Sequence, residues 1–301
     1  MDTSPSFGAV AGDWTLTPSI VLGLGLAALI YVLGLRELRR RGRLRRTVAP
    51  RHELYFLLGL MAIAAALLSP IDSLSDRLFA VHMLQHFLLL MVAPPLLLLG
   101  KPIPVLVVGA PRGLTRWLAR RHARVAWFRA LTRALVSPFV AWPLFVGTML
   151  AWHIPIFFDS ALENETVHVL EHLCFLAAGM LFWWVIVQPY PGKPRLGYGW
   201  RLAYVLLATI PESALGFIII LASSPVYPFY TRVPRLWGLS PMDDQAIAGN
   251  IMMDGGDAVL VLAMIWLFVH MMNRLEALEL ARFAEPTGPS LNTPTGPAGV
   301  S

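Results

Sequence analysis

The sequence is poor in cysteine and in charge, and both shortages narrow the possible class of protein. Cys174 is the single cysteine, which excludes internal disulfide bonds and every Cys-x-x-Cys metal or redox motif. Only 14% of the 301 residues are charged, whereas 56% are hydrophobic. Since soluble domains carry about 25% charged residues, this balance favours a membrane protein with several spans. The formal charge of +6 does not indicate binding to nucleic acid, because the basic residues are confined to loops between apolar stretches.

Seven apolar stretches are long enough, or nearly so, for a transmembrane helix of about 20 residues. They lie near residues 17–35, 54–70, 78–99, 134–152, 166–187, 201–222 and 246–271. We therefore predict an all-α fold, a polytopic membrane bundle of seven helices. The predicted organisation is an outer N-terminal segment (1–16), the transmembrane domain (17–272) and a largely disordered tail (273–301), which is rich in Pro, Gly, Ser and Thr at its end.

The basic residues predict how these helices are oriented. All but Arg77, Arg232 and Arg235 of the 24 lysines and arginines fall in alternate loops or after the last span. Because such residues accumulate on the cytoplasmic side, we expect the N-terminus outside and the tail in the cytoplasm. One of these loops, near residues 112–133, interleaves arginines with leucine, tryptophan and phenylalanine. This pattern is typical of an amphipathic helix on the anionic cytoplasmic leaflet, so membrane lipids are expected partners.

Five of the eight histidines are expected at one edge of the membrane, the non-cytoplasmic one. His82 and His86 open the third span, His153 closes the fourth, and His168 and His172 open the fifth. Imidazole is costly to bury in lipid without a partner, and each i, i+4 pair places two rings on one helix face. We interpret the five residues as a metal or haem site, with a hydrogen-bonded structural cluster as the alternative. That the three spans share one site is a hypothesis.

Five other side chains are candidates for additional ligands or for contacts that orient the ligands. They are Met83, Asp244, Met252, Met253 and Asp254. Thioether and imidazole together suit copper, and thioether favours Cu(I) in particular, although methionine is also a common packing residue. Asp254 is expected to orient a ligand histidine by accepting its second N–H.

Carboxylates inside the predicted spans must be neutral, paired or directed to a wet cavity, because a charge there costs at least about 2.5 kcal/mol. Glu171 lies beside His172 in sequence, and we expect it to face another direction. Glu212 follows Pro211 and is assigned no more than a structural polar contact.

Short motifs follow one another in a specific order between about residues 50 and 270. They are His82-Met-Leu-Gln-His86, Ala93-Pro94-Pro95, Gly100-Lys101-Pro102, Trp152-His153-Ile154-Pro155, His168-Val-Leu-Glu-His172, Phe182-Trp183-Trp184, Tyr227-Pro-Phe-Tyr230, Asp244-Gln245 and Ala248-Gly249. This series resembles the CtaG-type cytochrome c oxidase assembly factors, the multispanning family associated with caa-type haem–copper oxidases. The resemblance implies a multi-pass protein of the bacterial plasma membrane that helps to mature a terminal oxidase, with the oxidase subunits as partners. The residues it carries over as motif positions are His82, His86, His153, His168, His172 and Asp244.

Three functions are compatible with these observations. The preferred one is a non-enzymatic assembly factor that binds copper at the five histidines and helps to deliver it to the oxidase. Imidazoles bind copper when neutral, so binding is expected to weaken below about pH 6.5. The second is a b-type haem protein or haem-handling enzyme, in which His86 and His172 hold the iron from facing helices. The third is a metal-free scaffold for oxidase subunits.

Overall fold

The structure, a computed structural model, describes residues 12–189 and 196–284, and this part of the chain contains helices and turns but no strand. The helices are α1 (Pro18–Arg40), α2 (Leu44–Thr47), α3 (Pro50–Leu68), α4 (Pro70–Ser75), α5 (Phe79–Phe87), α6 (Ala93–Leu99), α7 (Pro102–Gly109), α8 (Arg112–Arg124), α9 (Ala126–Leu135), α10 (Pro138–Trp152), α11 (Pro155–Glu163), α12 (Glu165–Val187), α13 (Tyr198–Leu221), α14 (Phe229–Arg232), α15 (Pro241–Asn250) and α16 (Gly256–Ala284). Two π-helical segments join neighbouring helices, Leu88–Val92 between α5 and α6 and Ile251–Gly255 between α15 and α16. The predicted all-α class is confirmed.

Six helices among the described residues are long and apolar enough to cross a membrane. They are Pro18–Arg40, Pro50–Leu68, Phe79–Leu99, Glu165–Val187, Tyr198–Leu221 and Pro241–Phe283. Each corresponds to one of the seven predicted spans, although the observed helices are mostly a few residues longer. The chain is therefore a multi-pass membrane protein.

The predicted fourth span, residues 134–152, is not one straight helix. α9 and α10 are bent by 62°, and only together do they count as a seventh span. Pro138 begins α10, and proline neither donates a helical hydrogen bond nor favours a helical residue before it. With 15 residues α10 is about 22 Å long, shorter than a hydrocarbon core of about 30 Å.

Two of the predicted segments differ from the structure at their boundaries. The predicted disordered tail starts at residue 273, but α16 continues to Ala284, because the leucine, alanine, glutamate and arginine residues of this stretch favour helix. Residues 285–301, like residues 1–11 of the N-terminal segment, lie outside the described part of the chain. The basic segment near 112–133 is predicted as one helix but forms two, α8 and α9, which meet at Val125. Neither of them buries a residue against the described remainder of the protein.

Glycines let some helices pack backbone against backbone. A Cβ atom at Gly34 of α1 would overlap the carbonyl oxygen of Val105 in α7. On the other side of this crossing, a Cβ atom at Gly109 would overlap the carbonyl oxygen of Ile30. Small residues are enriched where membrane helices meet, because close van der Waals contact holds such helices together in lipid.

A similar close glycine contact joins α12 to the third span, within a few turns of the histidines of both helices. A Cβ atom at Gly179 would lie 2.7 Å from the carbonyl oxygen of Leu90, which belongs to the π-helical segment Leu88–Val92. The same carbonyl accepts a hydrogen bond from the indole N–H of Trp183, at 3.2 Å. Because both contacts involve one peptide group, they fix the height of α12 along the third span.

Replacing Gly34 with alanine is expected to destabilise the protein by about 1–3 kcal/mol, the usual cost of overpacking a tight contact. The added methyl group would push the backbone of α7 away from α1. Gly23→Ala is the matched control, since a Cβ atom on Gly23 of the same helix meets nothing within 4 Å. Thermal unfolding in detergent would measure the difference. Equal stability of the two variants would contradict the packing described for α1 and α7.

Candidate metal centre

Two helices carry the paired histidines, with one turn between the two rings of each pair. The ring centroids of His82 and His86 in α5 are 4.3 Å apart, and those of His168 and His172 in α12 are 4.2 Å apart. Between the two helices, the ring centroids of His82 and His168 are 5.2 Å apart, and those of His86 and His172 are 5.8 Å apart. α12 is capped by Asn164, whose side-chain oxygen accepts hydrogen bonds from two backbone N–H groups of the first turn. The structure thus brings the two predicted pairs together.

Glu171 lies between the two pairs, which corrects the prediction that it faces away from His172. Its Oε2 atom is 3.6 Å from Nε2 of His82 and 3.5 Å from Nε2 of His86, and its side chain is completely buried. Residues three apart share a helix face, so the position of Glu171 three residues after His168 could have predicted this arrangement.

Potential ligand atoms come within 4.8 Å of one another in two groups that share this carboxylate. One group is His82, His168 and Glu171, and the other is His86, Glu171 and His172. We refer to the five residues together as the histidine–glutamate cluster. It offers four imidazoles and one carboxylate from two helices, a donor set that suits a transition-metal ion.

Most polar atoms of the cluster have no hydrogen-bond partner among the described residues. Both ring nitrogens of His82 and of His86, Nε2 of His168, Nε2 of His172 and both carboxylate oxygens of Glu171 are buried and make no hydrogen bond, although Oε2 of Glu171 lies within ion-pair distance of two of the rings. Buried polar atoms in native proteins nearly always have a partner, and leaving one unpaired costs about 1–3 kcal/mol. So many atoms without hydrogen bonds in one place make the cluster a candidate metal centre.

Asp244 positions the first of these helices and does not join the cluster. Its two carboxylate oxygens accept hydrogen bonds from the backbone N–H groups of Phe79, at 2.8 Å, and Ala80, at 2.9 Å. These are the first N–H groups of α5. Leu78, the residue at the N-cap position, has no side-chain acceptor for them. Asp244 therefore holds the start of the helix that carries His82 and His86.

His153 lies beside the cluster at the end of α10. Its Nδ1 atom is 2.7 Å from the carbonyl oxygen of Met149, and its Nε2 atom is 3.4 Å from the sulfur of Met83. The ring centroid is 6.1 Å from that of His86. His153 and Met83 thus contact each other rather than the carboxylate of Glu171.

The three remaining candidates in the seventh span have different surroundings. Met252 lines a small cavity together with Met83 and His86. Met253 packs against Gly216 of α13. Asp254 is exposed and makes no hydrogen bond to a histidine within the described part of the chain. The expectation that Asp254 orients a ligand histidine is not supported by this placement.

Aromatic side chains cover the cluster at its helix-start end. The ring of Phe158 lies 4.9 Å from that of His82 and stacks on Tyr227 at 3.9 Å. The hydroxyl of Tyr227 donates a hydrogen bond to the carbonyl oxygen of His153, at 3.0 Å. Burial raises the pKa of the Tyr227 hydroxyl far above its usual range, so it stays protonated and keeps donating. The sequence indicated Tyr227 as a motif residue, but no periodicity pointed to Phe158.

Gln85, between the histidines of α5, connects this helix to the end of α3 and to α4. Its amide nitrogen donates to the carbonyl oxygen of Ala66 and to Oδ1 of Asp72, both at 2.9 Å. Thr15 donates to the other oxygen of Asp72, at 2.8 Å. Burial raises the pKa of Asp72, while the two donated hydrogen bonds oppose that change. Gln85 is a positioning residue that sequence reasoning missed.

Comparison with known proteins gives relatives over most of the chain. Two uncharacterized proteins, from Mycobacterium bovis and Mycobacterium tuberculosis, are each 31% identical over 260 residues, which is 82% of this chain and 37% of theirs. An uncharacterized protein from Mycobacterium leprae is 29% identical over 267 residues, 84% of this chain and 38% of its own. The chain thus spans less than two fifths of the length of these curated relatives. No solved structure matches it.

The family assignment rests on a longer pattern than any single motif. The sequence profile of the cytochrome c oxidase caa3 assembly factors matches residues 29–274. This range runs from the middle of α1 into α16 and contains the five histidines of the predicted site, Glu171 and Asp244. The chain belongs to the cytochrome c oxidase caa3 assembly factor family, Caa3_CtaG.

Proposed function

We propose that this protein is a non-enzymatic assembly factor for a haem–copper oxidase and that it binds copper at the histidine–glutamate cluster for delivery to the oxidase. The family supports the assembly role. Copper binding is supported by the buried imidazole and carboxylate atoms without hydrogen bonds that converge from α5 and α12. Delivery then consists of ligand exchange, which needs no catalytic residue.

The donor set favours copper or zinc over harder ions. Imidazole suits copper and zinc, whereas magnesium and calcium prefer oxygen ligands only. The cluster has four imidazoles for one carboxylate. Of the two metals, copper is the one that a haem–copper oxidase must receive.

The geometry offers little support for the alternative of a haem held by His86 and His172. The cavity beside His86 has a volume of about 30 Å³, whereas small-molecule and cofactor sites usually measure about 300–1,000 Å³. The ring of His86 also packs against Phe175, with centroids 4.3 Å apart. A porphyrin between the two histidines would require α5 and α12 to separate.

We also propose that the cluster faces the non-cytoplasmic side of the bacterial inner membrane. His82 lies near the start of the third span, Phe79–Leu99, and the arginine-rich helices α8 and α9 follow the end of that span. Because arginine-rich segments stay in the cytoplasm, the opposite end of the span is outside. Neither α8 nor α9 is packed into the bundle, which agrees with helices that lie on anionic lipid.

Removing two ligands from one helix is expected to abolish copper binding at the cluster. His82→Ala/His86→Ala leaves only His168, Glu171 and His172, and a buried metal needs a nearly complete ligand set. Copper content per purified protein, measured after loading and gel filtration, should fall by at least one equivalent. His270→Ala is the matched control, because this exposed ring lies on α16, away from the cluster. A variant that retained all its copper would contradict the proposed site, and a Soret band in the parent would favour the haem alternative.

The same double variant separates copper delivery from scaffolding in cells. If the protein delivers copper, strains with His82→Ala/His86→Ala should have lost most oxidase activity while the variant still accumulates in the membrane. Added copper should restore part of that activity, because it bypasses the delivery step. Normal activity in the variant strain would instead support a metal-free scaffold.

Asp244→Asn tests whether the capping carboxylate positions the ligands. An amide can replace only one of the two acceptor oxygens, so we expect a loss of stability of about 0.5–2 kcal/mol and weaker copper binding at unchanged stoichiometry. Glu279→Gln is the control, since this carboxylate is exposed near the end of α16. Denaturation midpoints and copper titrations would be compared; equal values for the two variants would refute the positioning role.

A further inference from the structure

A small cavity next to the histidine–glutamate cluster is lined by four methionines. They are Met83, Met91, Met149 and Met252. They come from four separate segments: α5, Leu88–Val92, α10 and Ile251–Gly255. Three of them are at most 2% exposed. The cavity has a volume of about 30 Å³, enough for one or two water molecules or for one ion without its hydration shell.

His153 and Met83 touch in the wall of this cavity, but no hydrogen atom lies between them when the imidazole is neutral. A carbonyl oxygen can only accept, so the Nδ1–H of His153 donates to Met149, at 2.7 Å. A neutral imidazole has one N–H, and therefore Nε2 carries a lone pair. That lone pair faces the sulfur of Met83, another electron-pair donor, at 3.4 Å. Nitrogen and sulfur ligands of one tetrahedral metal ion, with bonds of about 2.0 and 2.3 Å, are about 3.5 Å apart.

A carboxylate also lines this cavity. Glu212 of α13 is 4% exposed, and its Oε2 atom has no partner among the described residues. Gly256 makes room for it, because a Cβ atom there would overlap Oε1 of Glu212. The structure therefore gives Glu212 more than the general polar contact expected from its sequence position: it places a carboxyl group in a space otherwise lined by sulfur, imidazole and apolar groups. This carboxyl group can give up its proton when a cation enters the cavity.

We propose that this cavity is a second metal site, specific for Cu(I), with thioether and imidazole ligands and with Glu212 as the charge that balances the ion. Soft thioethers select Cu(I), and one carboxylate neutralises one monovalent ion inside the membrane. The small volume excludes hydrated divalent ions. His86 lines the cavity and also belongs to the histidine–glutamate cluster. The inference rests on the proposed function for the identity of its metal, copper.

The test is metal binding by the full chain in detergent under anaerobic, reducing conditions. Met149→Leu/Met252→Leu removes two thioethers and conserves most of the volume. We expect this variant to bind one equivalent of Cu(I) fewer than the parent against a competing Cu(I) chelator. X-ray absorption of the Cu(I)-loaded parent should show a sulfur shell at about 2.3 Å that the variant has lost. Met264→Leu is the matched control, because this partly buried methionine packs against the core but does not line the cavity.

Zn(II) separates the cavity from the cluster. Imidazole and carboxylate bind Zn(II), and thioether binds it poorly. Met149→Leu/Met252→Leu should therefore bind Zn(II) like the parent, which would also show that the variant is folded. His82→Ala/His168→Ala should lose Zn(II) but keep the sulfur shell. If the Cu(I)-loaded parent protein showed no sulfur scattering, the second site would be overturned and the proposal for the cluster would stand. If the parent showed the sulfur shell but His82→Ala/His168→Ala bound as much Zn(II) as the parent, only the proposal for the cluster would be refuted.

Glu212→Gln tests the charge with an isosteric side chain. We expect its Cu(I) affinity to fall about a hundredfold, as for a buried charge that has lost its partner, while the sulfur shell persists at saturating Cu(I). Glu276→Gln, on the exposed part of α16, is the control. Unchanged affinity in Glu212→Gln would overturn the proposed charge balance.

Discussion

The burial of one carboxylate among imidazoles constrains the whole bundle. Glu171 is completely buried, and its Oε2 atom lies 3.5–3.6 Å from two histidines of another helix. A buried carboxylate costs several kcal/mol unless it is paired, so α5 and α12 are stable only at the height where this contact forms. Gly179 and Trp183, both in contact with the carbonyl group of Leu90, hold them there. The ligand geometry thus depends on backbone contacts well below the cluster.

The two π-helical segments explain how ordinary helices can present such unusual sets of side chains. Each inserts a wider turn directly after a helix that matters for the site: Leu88–Val92 follows α5, and Ile251–Gly255 follows α15. A π-turn frees carbonyl groups and changes the direction in which later side chains point. In the first segment the carbonyl of Leu90 is free for Trp183, because Pro94, four residues further on, has no N–H to donate. The second segment contains Met252, which lines the cavity. Asp244 couples the two spans, because it lies in α15 and caps α5.

The sequence was sufficient for features that depend on local pattern and insufficient for those that depend on helix neighbours. Hydropathy located six spans, and i, i+4 spacing placed each histidine pair on one face. Glu171 was misplaced because adjacency to His172 was weighed more than its i+3 spacing from His168. Asp244 was left as either ligand or orienting residue, because a cap on another helix has no signature in its own sequence. Pro138 is a local sequence signal for the bend between α9 and α10, but mean hydropathy is taken over a whole window of residues and does not show it.

An ion that is carried by a protein must be bound and then released, and the bundle offers two donor sets with one residue in common. The cluster combines imidazole with a carboxylate, and the cavity combines thioether with imidazole and Glu212. If both bind copper as proposed, His86 can remain bound while the other ligands exchange one at a time. The ion then never loses all its ligands in a low-dielectric interior, where a bare charge would be most costly. Each set holds one carboxyl group, and the two sets differ in ligand softness, since the cavity offers thioethers where the cluster offers imidazoles.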